Sequence, residues 1–98
     1  MTHTLNILRI AYQATEPTQY ANEPRRAREY VEALRADVAS IGVAIKAGDT
    51  DTAWDILSKC ESRLHGLIHR GPWHNTPGSL CVMRGIVDLI ASAIRAAK

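Results

Sequence analysis

The stretch that decides the fold is residues 23–47, EPRRAREYVEALRADVASIGVAIKA. Its apolar residues recur at alternating steps of four and three, which places them on one face of an α-helix. They are Ala27, Val31, Leu34, Val38, Ile41 and Ile45. Asn22 can cap the start of such a helix, Pro24 is tolerated in its first turn, and Gly48 can adopt the left-handed conformation that ends it. We therefore predict a long helix over residues 23–47 that packs against another helix.

Two further helices are predicted, over residues 50–70 and 77–97. The first repeats the four-and-three spacing, and the short turn around Gly48 favours antiparallel pairing of these two helices. The last helix is apolar on two neighbouring faces and therefore needs more than one partner. These faces consist of Met83, Val87, Ile90, Ile94 and Ala97, and of Val82, Ile86, Leu89 and Ala93. We expect this helix to lie between the other two, to carry a subunit interface, or to do both.

The first 22 residues are ambiguous. Leu5, Leu8 and Tyr12 fit one helical face, whereas the alternation of Leu8, Ile10 and Tyr12 also fits a short strand. A lone strand has nothing to pair with, so a helix over about residues 4–14 is preferred, followed by a connector. The sequence thus predicts an all-α fold in a single domain over residues 1–98. Its architecture is a three-helix antiparallel bundle with a short N-terminal helical arm, residues 1–22 being the arm and connector.

Each predicted long helix contains one interior glycine, at Gly42, Gly66 and Gly85. Glycine costs about 1 kcal/mol relative to alanine inside a helix, so its presence calls for a reason. Close approach of neighbouring backbones is the reason we expect, with a kink or an unoptimised position as the alternative.

Composition excludes several classes of protein. The chain is 46% hydrophobic and 22% charged, with no apolar run long enough to span a bilayer and no secretory signal at its start. A cytoplasmic location is therefore expected. The two cysteines are too few for a disulfide scaffold and are interpreted as small apolar residues. The net charge of +2 is far below that of a dedicated nucleic-acid-binding domain.

Catalytic motifs are absent from the sequence. It contains no Gly-x-Ser-x-Gly elbow, phosphate loop, dinucleotide fingerprint or paired zinc ligands. We therefore expect no enzyme activity, no catalytic residues and no cofactor.

The leading functional hypothesis is a non-catalytic protein–protein interaction protein. A small chain running from Met1 to Lys98 without an appended domain fits an accessory or inhibitor protein, such as phages encode, that occupies a partner's surface. A homodimer is expected, formed through the last helix or the face around Trp54. The predicted partner-binding residues are Trp54, Trp73, Arg84 and Asp88, although Trp73 could instead cover one end of the core.

Two alternatives use other residues. Arg25, Arg26 and Arg28 cluster at a helix start beside Tyr20, where guanidinium groups and an aromatic ring could hold a nucleotide or nucleic acid. Glutamates four residues away could instead neutralise these arginines.

His65 and His69 are four apart on one helical face, and His74 follows them. This spacing could bind a divalent metal ion, but surface or interface histidines near the end of a helix are the preferred interpretation.

Overall fold

The computed structural model describes residues 2–70 and 78–97. This part of the chain is all-helical, as predicted, with four α-helices and one short 3₁₀ helix. The α-helices are α1 (Thr2–Ala14), α2 (Arg25–Lys46), α3 (Thr50–Arg70) and α4 (Gly78–Ala97), and the 3₁₀ helix is Pro17–Tyr20. Helix α2 begins two residues later than predicted because Pro24, not Asn22, occupies the N-cap position.

Helices α2 and α3 pack along their predicted apolar faces. Ala27, Leu34 and Ile41 of α2 are fully or almost fully buried, as are Leu57 and Cys60 of α3. The start of α2 lies beside the end of α3, where both helices line one groove that includes Arg26 and Leu67.

The connection between α2 and α3 is a glycine-dependent turn. Gly48 has φ +77°, the left-handed region in which a side chain is strained. The Gly48 amide donates to the Ile45 carbonyl at 3.0 Å, and the Asp49 amide donates to the Ala44 carbonyl at 2.8 Å. These two bonds satisfy carbonyls at the end of α2 in the pattern of a Schellman motif. The carboxylate of Asp49 then caps α3 by accepting from the Thr52 amide at 3.0 Å.

The Asp49 cap predicts a specific response to acid. Hydrogen bonds from the Thr52 hydroxyl and amide lower the pKa of Asp49 from its ordinary value of 3.8. The unfolded chain therefore takes up this proton at higher pH than the folded chain, so the stabilisation is present above about pH 4 and lost as pH falls through the folded pKa. Asp49→Asn keeps a capping oxygen that does not titrate.

We expect thermal denaturation from pH 7 downward to show the wild type losing Tm faster than Asp49→Asn below about pH 4. Asp55→Asn, an exposed carboxylate in the next turn, serves as the control and should follow the wild type. Parallel curves for Asp49→Asn and wild type would contradict the capping role.

The N-terminal helix is not a detached arm. The predicted three-helix arrangement is not confirmed, because α1 packs against both α4 and α2 and contributes Leu8 and Ala11 to the core. Buried Thr4 donates from its hydroxyl to the Ala93 carbonyl of α4 at 3.2 Å. This bond satisfies a polar group whose burial would otherwise be costly.

Arg35 of α2 holds the other end of α1. Its guanidinium donates to the Tyr12 carbonyl at 2.9 Å and lies 3.8 Å from the centre of the Tyr12 ring. It also forms an ion pair with Glu16 at 3.5 Å. Nearby, the buried Tyr20 donates from its hydroxyl to the Ala14 carbonyl at 2.6 Å. The last carbonyls of α1 are thus bound by side chains from outside the helix.

Replacing Arg35 tests this attachment. Arg35→Ala removes a charge-assisted hydrogen bond and a cation–π contact, so we expect the free energy of unfolding to fall by about 1–3 kcal/mol. Urea denaturation measures the change. Arg9→Ala, an exposed arginine on α1, should stay within about 0.5 kcal/mol of the wild type. Equal effects of the two substitutions would show that Arg35 does not anchor α1.

Helix α4 contacts both α1 and α3, as its two apolar faces require. Its Met83, Ile90 and Ile94 are fully buried. Within the single chain, the expectation that interior glycines permit close backbone approach is wrong, because a Cβ added at Gly42, Gly66 or Gly85 meets nothing within 4 Å. These glycines face open space within the single chain.

Candidate protein-binding surface

The outward face of α4 carries an uncharged strip. We name it the α4 strip, and it consists of Val82, Gly85, Leu89, Ser92 and Ala96. All five residues are exposed, and the two large side chains, Val82 and Leu89, are 51% and 39% exposed. An exposed helix face is normally polar and charged, so an uncharged strip with two large apolar side chains is unusual and makes this face the candidate binding surface.

One edge of the α4 strip is charged. Arg84, Asp88 and Arg95 are exposed and lie on the side of α4 that faces α3. The guanidinium carbon of Arg95 lies 5.6 Å from the centre of the Trp54 ring, within the range of a cation–π contact. The predicted partner-binding residues Arg84 and Asp88 therefore border the apolar strip.

Helix α1, which packs against α4, carries a further exposed apolar side chain at Ile10. Because Thr4 bonds to Ala93 near the end of α4, α1 can contact α4 along its length only by running back toward the start of α4. At 1.5 Å per residue, Ile10 then lies about 9 Å along α1, level with the middle of the strip. Ile10 is 53% exposed and lies roughly opposite Tyr12 on α1, away from α2.

Trp54 and Trp73 are the two predicted tryptophan anchors. Trp54 is half-buried and packs against the core cluster, so it supports the edge beneath Arg95 more than it projects outward. Trp73 lies outside the described residues, and its predicted role stays a prediction.

The predicted histidines lie in a groove between α3 and α4. The centres of the His65 and His69 rings are 4.2 Å apart. The groove has a volume of about 480 Å³ and is also lined by Glu61, Arg84 and Asp88. Within residues 2–70 and 78–97, no group of three or more histidine, cysteine or acidic residues is arranged to hold a metal ion. His74 lies outside those ranges, so the full three-histidine hypothesis stays a prediction.

The predicted arginine cluster is divided between two grooves. Arg25 and Arg28 line one of them together with Tyr20, Glu29 and Glu32, and Arg25 is bonded to Glu29 at 2.8 Å.

Arg26 instead lines the groove between α2 and α3. Tyr20 is buried, and its hydroxyl is bonded to the Ala14 carbonyl. The structure therefore brings two of the three arginines together, beside acidic groups and without an exposed tyrosine ring.

A polar cluster between α2 and α3 was not predicted. The Cys60 thiol donates to Asp37 at 3.0 Å, Arg63 donates to the same carboxylate oxygen at 2.6 Å, and the Tyr30 hydroxyl donates to the Cys60 carbonyl at 3.1 Å. Burial, followed by the hydrogen bond to Asp37 and its charge, raises the pKa of Cys60 to about 12. Burial also raises the pKa of Tyr30. The seven-residue spacing of Tyr30 and Asp37 is the signal that could have revealed this cluster.

The two cysteines should differ in reactivity. Cys60 is buried with a raised pKa, whereas Cys81 is exposed at the edge of the α4 strip. Because the thiolate is the reactive form, we expect an aromatic disulfide reagent at about pH 8 to label one thiol in the folded protein and two after denaturation. Cys81→Ser should abolish labelling of the folded protein. Rapid labelling of that variant before denaturation would contradict the assignment.

Comparisons with known proteins give no relative. No protein-family model matches the chain, and neither a curated protein nor a solved structure is detectably similar to it. Within the described ranges, none of the helices is both long and apolar enough to cross a membrane.

Proposed function

We propose that the chain is a non-catalytic interaction protein, an accessory or inhibitor protein that works by occupying the surface of another protein. Its binding surface is the α4 strip together with Ile10 of α1. The scaffold is a small antiparallel bundle in which α1 is a packed member and not a free arm.

The exposure of Val82 and Leu89 within an uncharged helix face is the observation that carries this proposal. Single exposed apolar side chains are common on protein surfaces. Here two of them lie seven residues apart on α4, level with the exposed Ile10 of α1. Gly85, which lies between them, and Ser92, which follows Leu89 on the same face, are small and leave the face open to the close approach of a helix or strand.

The side of α4 away from the α4 strip is buried in the core, which fixes the position of the strip. Met83, Ile90 and Ile94 are fully buried on the opposite side of the same helix. A binding face on a fixed helix loses little conformational entropy on association, which favours affinity. The charged edge formed by Arg84, Asp88 and Arg95 can restrict the choice of partner, since rim charges contribute more to specificity than to affinity.

The buried thiol of Cys60 has a structural role in this proposal. Its contacts join α2 to α3, and its pKa of about 12 keeps it protonated near neutral pH.

The arginine alternative has weaker support. Glu29 and Glu32 offset the charge of Arg25 and Arg28 within one groove, so an anion there meets two carboxylates as well as two guanidinium groups.

Charge insertion into the α4 strip tests the proposal. Val82→Glu with Leu89→Glu places two carboxylates where an apolar partner surface would exclude water, so we expect capture of the partner from cells encoding the chain to fall at least about tenfold. Quantitative mass spectrometry of proteins captured by wild type and variant measures this loss.

The matched control is Val43→Glu on α2. Val43 is 70% exposed, so the same insertion of charge occurs away from the α4 strip. It should leave capture and far-ultraviolet circular dichroism unchanged. Equal capture of the same protein by the double variant and by Val43→Glu would contradict the proposal.

A further inference from the structure

We propose that the α4 strip also binds a second copy of this chain, with the two α4 helices antiparallel about a two-fold axis near residues 90 and 91. The inference rests on the proposed binding role of the strip and names one of its occupants. Three features of α4 carry it, namely the spacing of the strip, the sizes of its side chains and the order of the charges along its edge.

The spacing of the α4 strip is that of a coiled-coil seam. From Val82 to Ala96 its members follow one another at steps of three, four, three and four residues. Such a seam keeps facing a second helix along its length. The buried side of α4 has its own seam, so this outer one is not needed for the fold of a single chain.

The side-chain sizes suit antiparallel self-association. When Leu89 lies opposite Ser92 of the second copy, Gly85 lies opposite its Ala96. Each such pair forms one layer of the interface. Two-fold symmetry makes every layer occur twice, once with each copy supplying the first residue of the pair. In both layers a larger residue meets a smaller one or two small residues meet, which allows the two backbones to approach. Val82 lies beyond the last residue of the second helix in this register. Gly85, which has open space around it in the single chain, fits this arrangement.

The charges select this register. On the α3 side of the seam, Asp88 of each chain then lies beside Arg95 of the other, giving two equivalent attractive pairs. On the α1 side, Ile86 of each chain lies beside Ala93 of the other, and both residues are already mostly buried. No like charges meet along either side.

The neighbouring register is disfavoured by the same charges. Shifting the axis to residue 87 places Leu89 opposite Gly85 and Val82 opposite Ser92. It also brings Asp88 of one copy beside Asp88 of the other, which is repulsive. A parallel arrangement places Asp88 and Arg95 beside the apolar side of the second helix, without an opposite charge. The antiparallel register centred near residues 90 and 91 is therefore favoured.

The expected dimer is weak. One helix face gives less than the roughly 800 Å² per partner of a standard interface, even with Ile10 extending it. We therefore expect a dissociation constant on the order of 10–100 µM, with exchange between one and two copies on dilution. Such an affinity lets a second copy compete with another protein for the same strip.

Charge exchange provides the test. Sedimentation equilibrium of the full chain from about 10 to 500 µM at low salt should show a monomer–dimer equilibrium. Asp88→Arg and Arg95→Asp should each weaken the dimer about five- to tenfold, because each turns two attractive pairs into repulsive ones. The double variant, Asp88→Arg with Arg95→Asp, should restore the dissociation constant to within about threefold of the wild type.

Lys59→Asp is the matched control. It makes the same charge change as Arg95→Asp, but Lys59 is an exposed residue of α3 outside the α4 strip and its charged edge, so it should leave the dimer unchanged. Asp88→Asn distinguishes the registers, since it weakens the proposed dimer and strengthens one in which Asp88 meets itself. Circular dichroism checks that these exposed substitutions leave the helices intact.

Each outcome bears on the inference separately from the proposed function. A chain that stays monomeric throughout, a double variant that is not restored, or strengthening by Asp88→Asn overturns the self-pairing. Loss of another protein's capture in the double-glutamate variant would still support the proposed function in those cases. Conversely, a dimer that follows the charge exchange supports the self-pairing even when capture of other proteins does not depend on the strip.

Discussion

The constraint on which the structure depends is the number of apolar faces on α4. Its inner residues, among them Met83, Ile90 and Ile94, can be buried only if other helices cover more than one side of it. Helix α3 covers one side and α1 covers another. The place of α1 in the fold is thus a consequence of α4, and so is the face that remains open. In a chain of 98 residues, where little surface can be buried, each of these contacts matters for stability.

The long helices could be predicted from the sequence because their signals are local. Repeated steps of three and four residues, a glycine after α2 and an aspartate before α3 fix the bounds of α2, α3 and α4 to within about two residues. The packing of α1 could not be predicted in the same way. It depends on the bond from Thr4 to Ala93 and on the contacts of Arg35 with Tyr12, which join residues far apart in the sequence. No local pattern encodes such pairs.

The surface was predictable in part. The excess of apolar residues on α4 predicted an interface, and Arg84 and Asp88, which were predicted as partner-binding residues, lie beside the α4 strip; their role stays a prediction. However, periodicity treated Val82, Ile86, Leu89 and Ala93 as one face, whereas Ile86 and Ala93 are buried and the other two are exposed. One neighbouring helix covers only part of such a face, and which part depends on the angle from which α1 approaches. The polar contacts of Cys60 with Asp37 could not be predicted for the same reason, since they depend on how α2 and α3 are positioned relative to each other along their length.

The polar and apolar surfaces of this chain therefore have different tasks. Polar side chains join helices at defined points, as Arg35 does for α1 and Arg63 for α3, because a hydrogen bond to a charged group requires one geometry. Apolar packing is more tolerant and fills the space between those points. With the register of the helices fixed from within, the outer face of α4 is free to carry apolar residues that the fold does not use. We propose a partner as the reason for this exposed face, and under that proposal the order of its side chains and charges says more about function than any single residue of the chain.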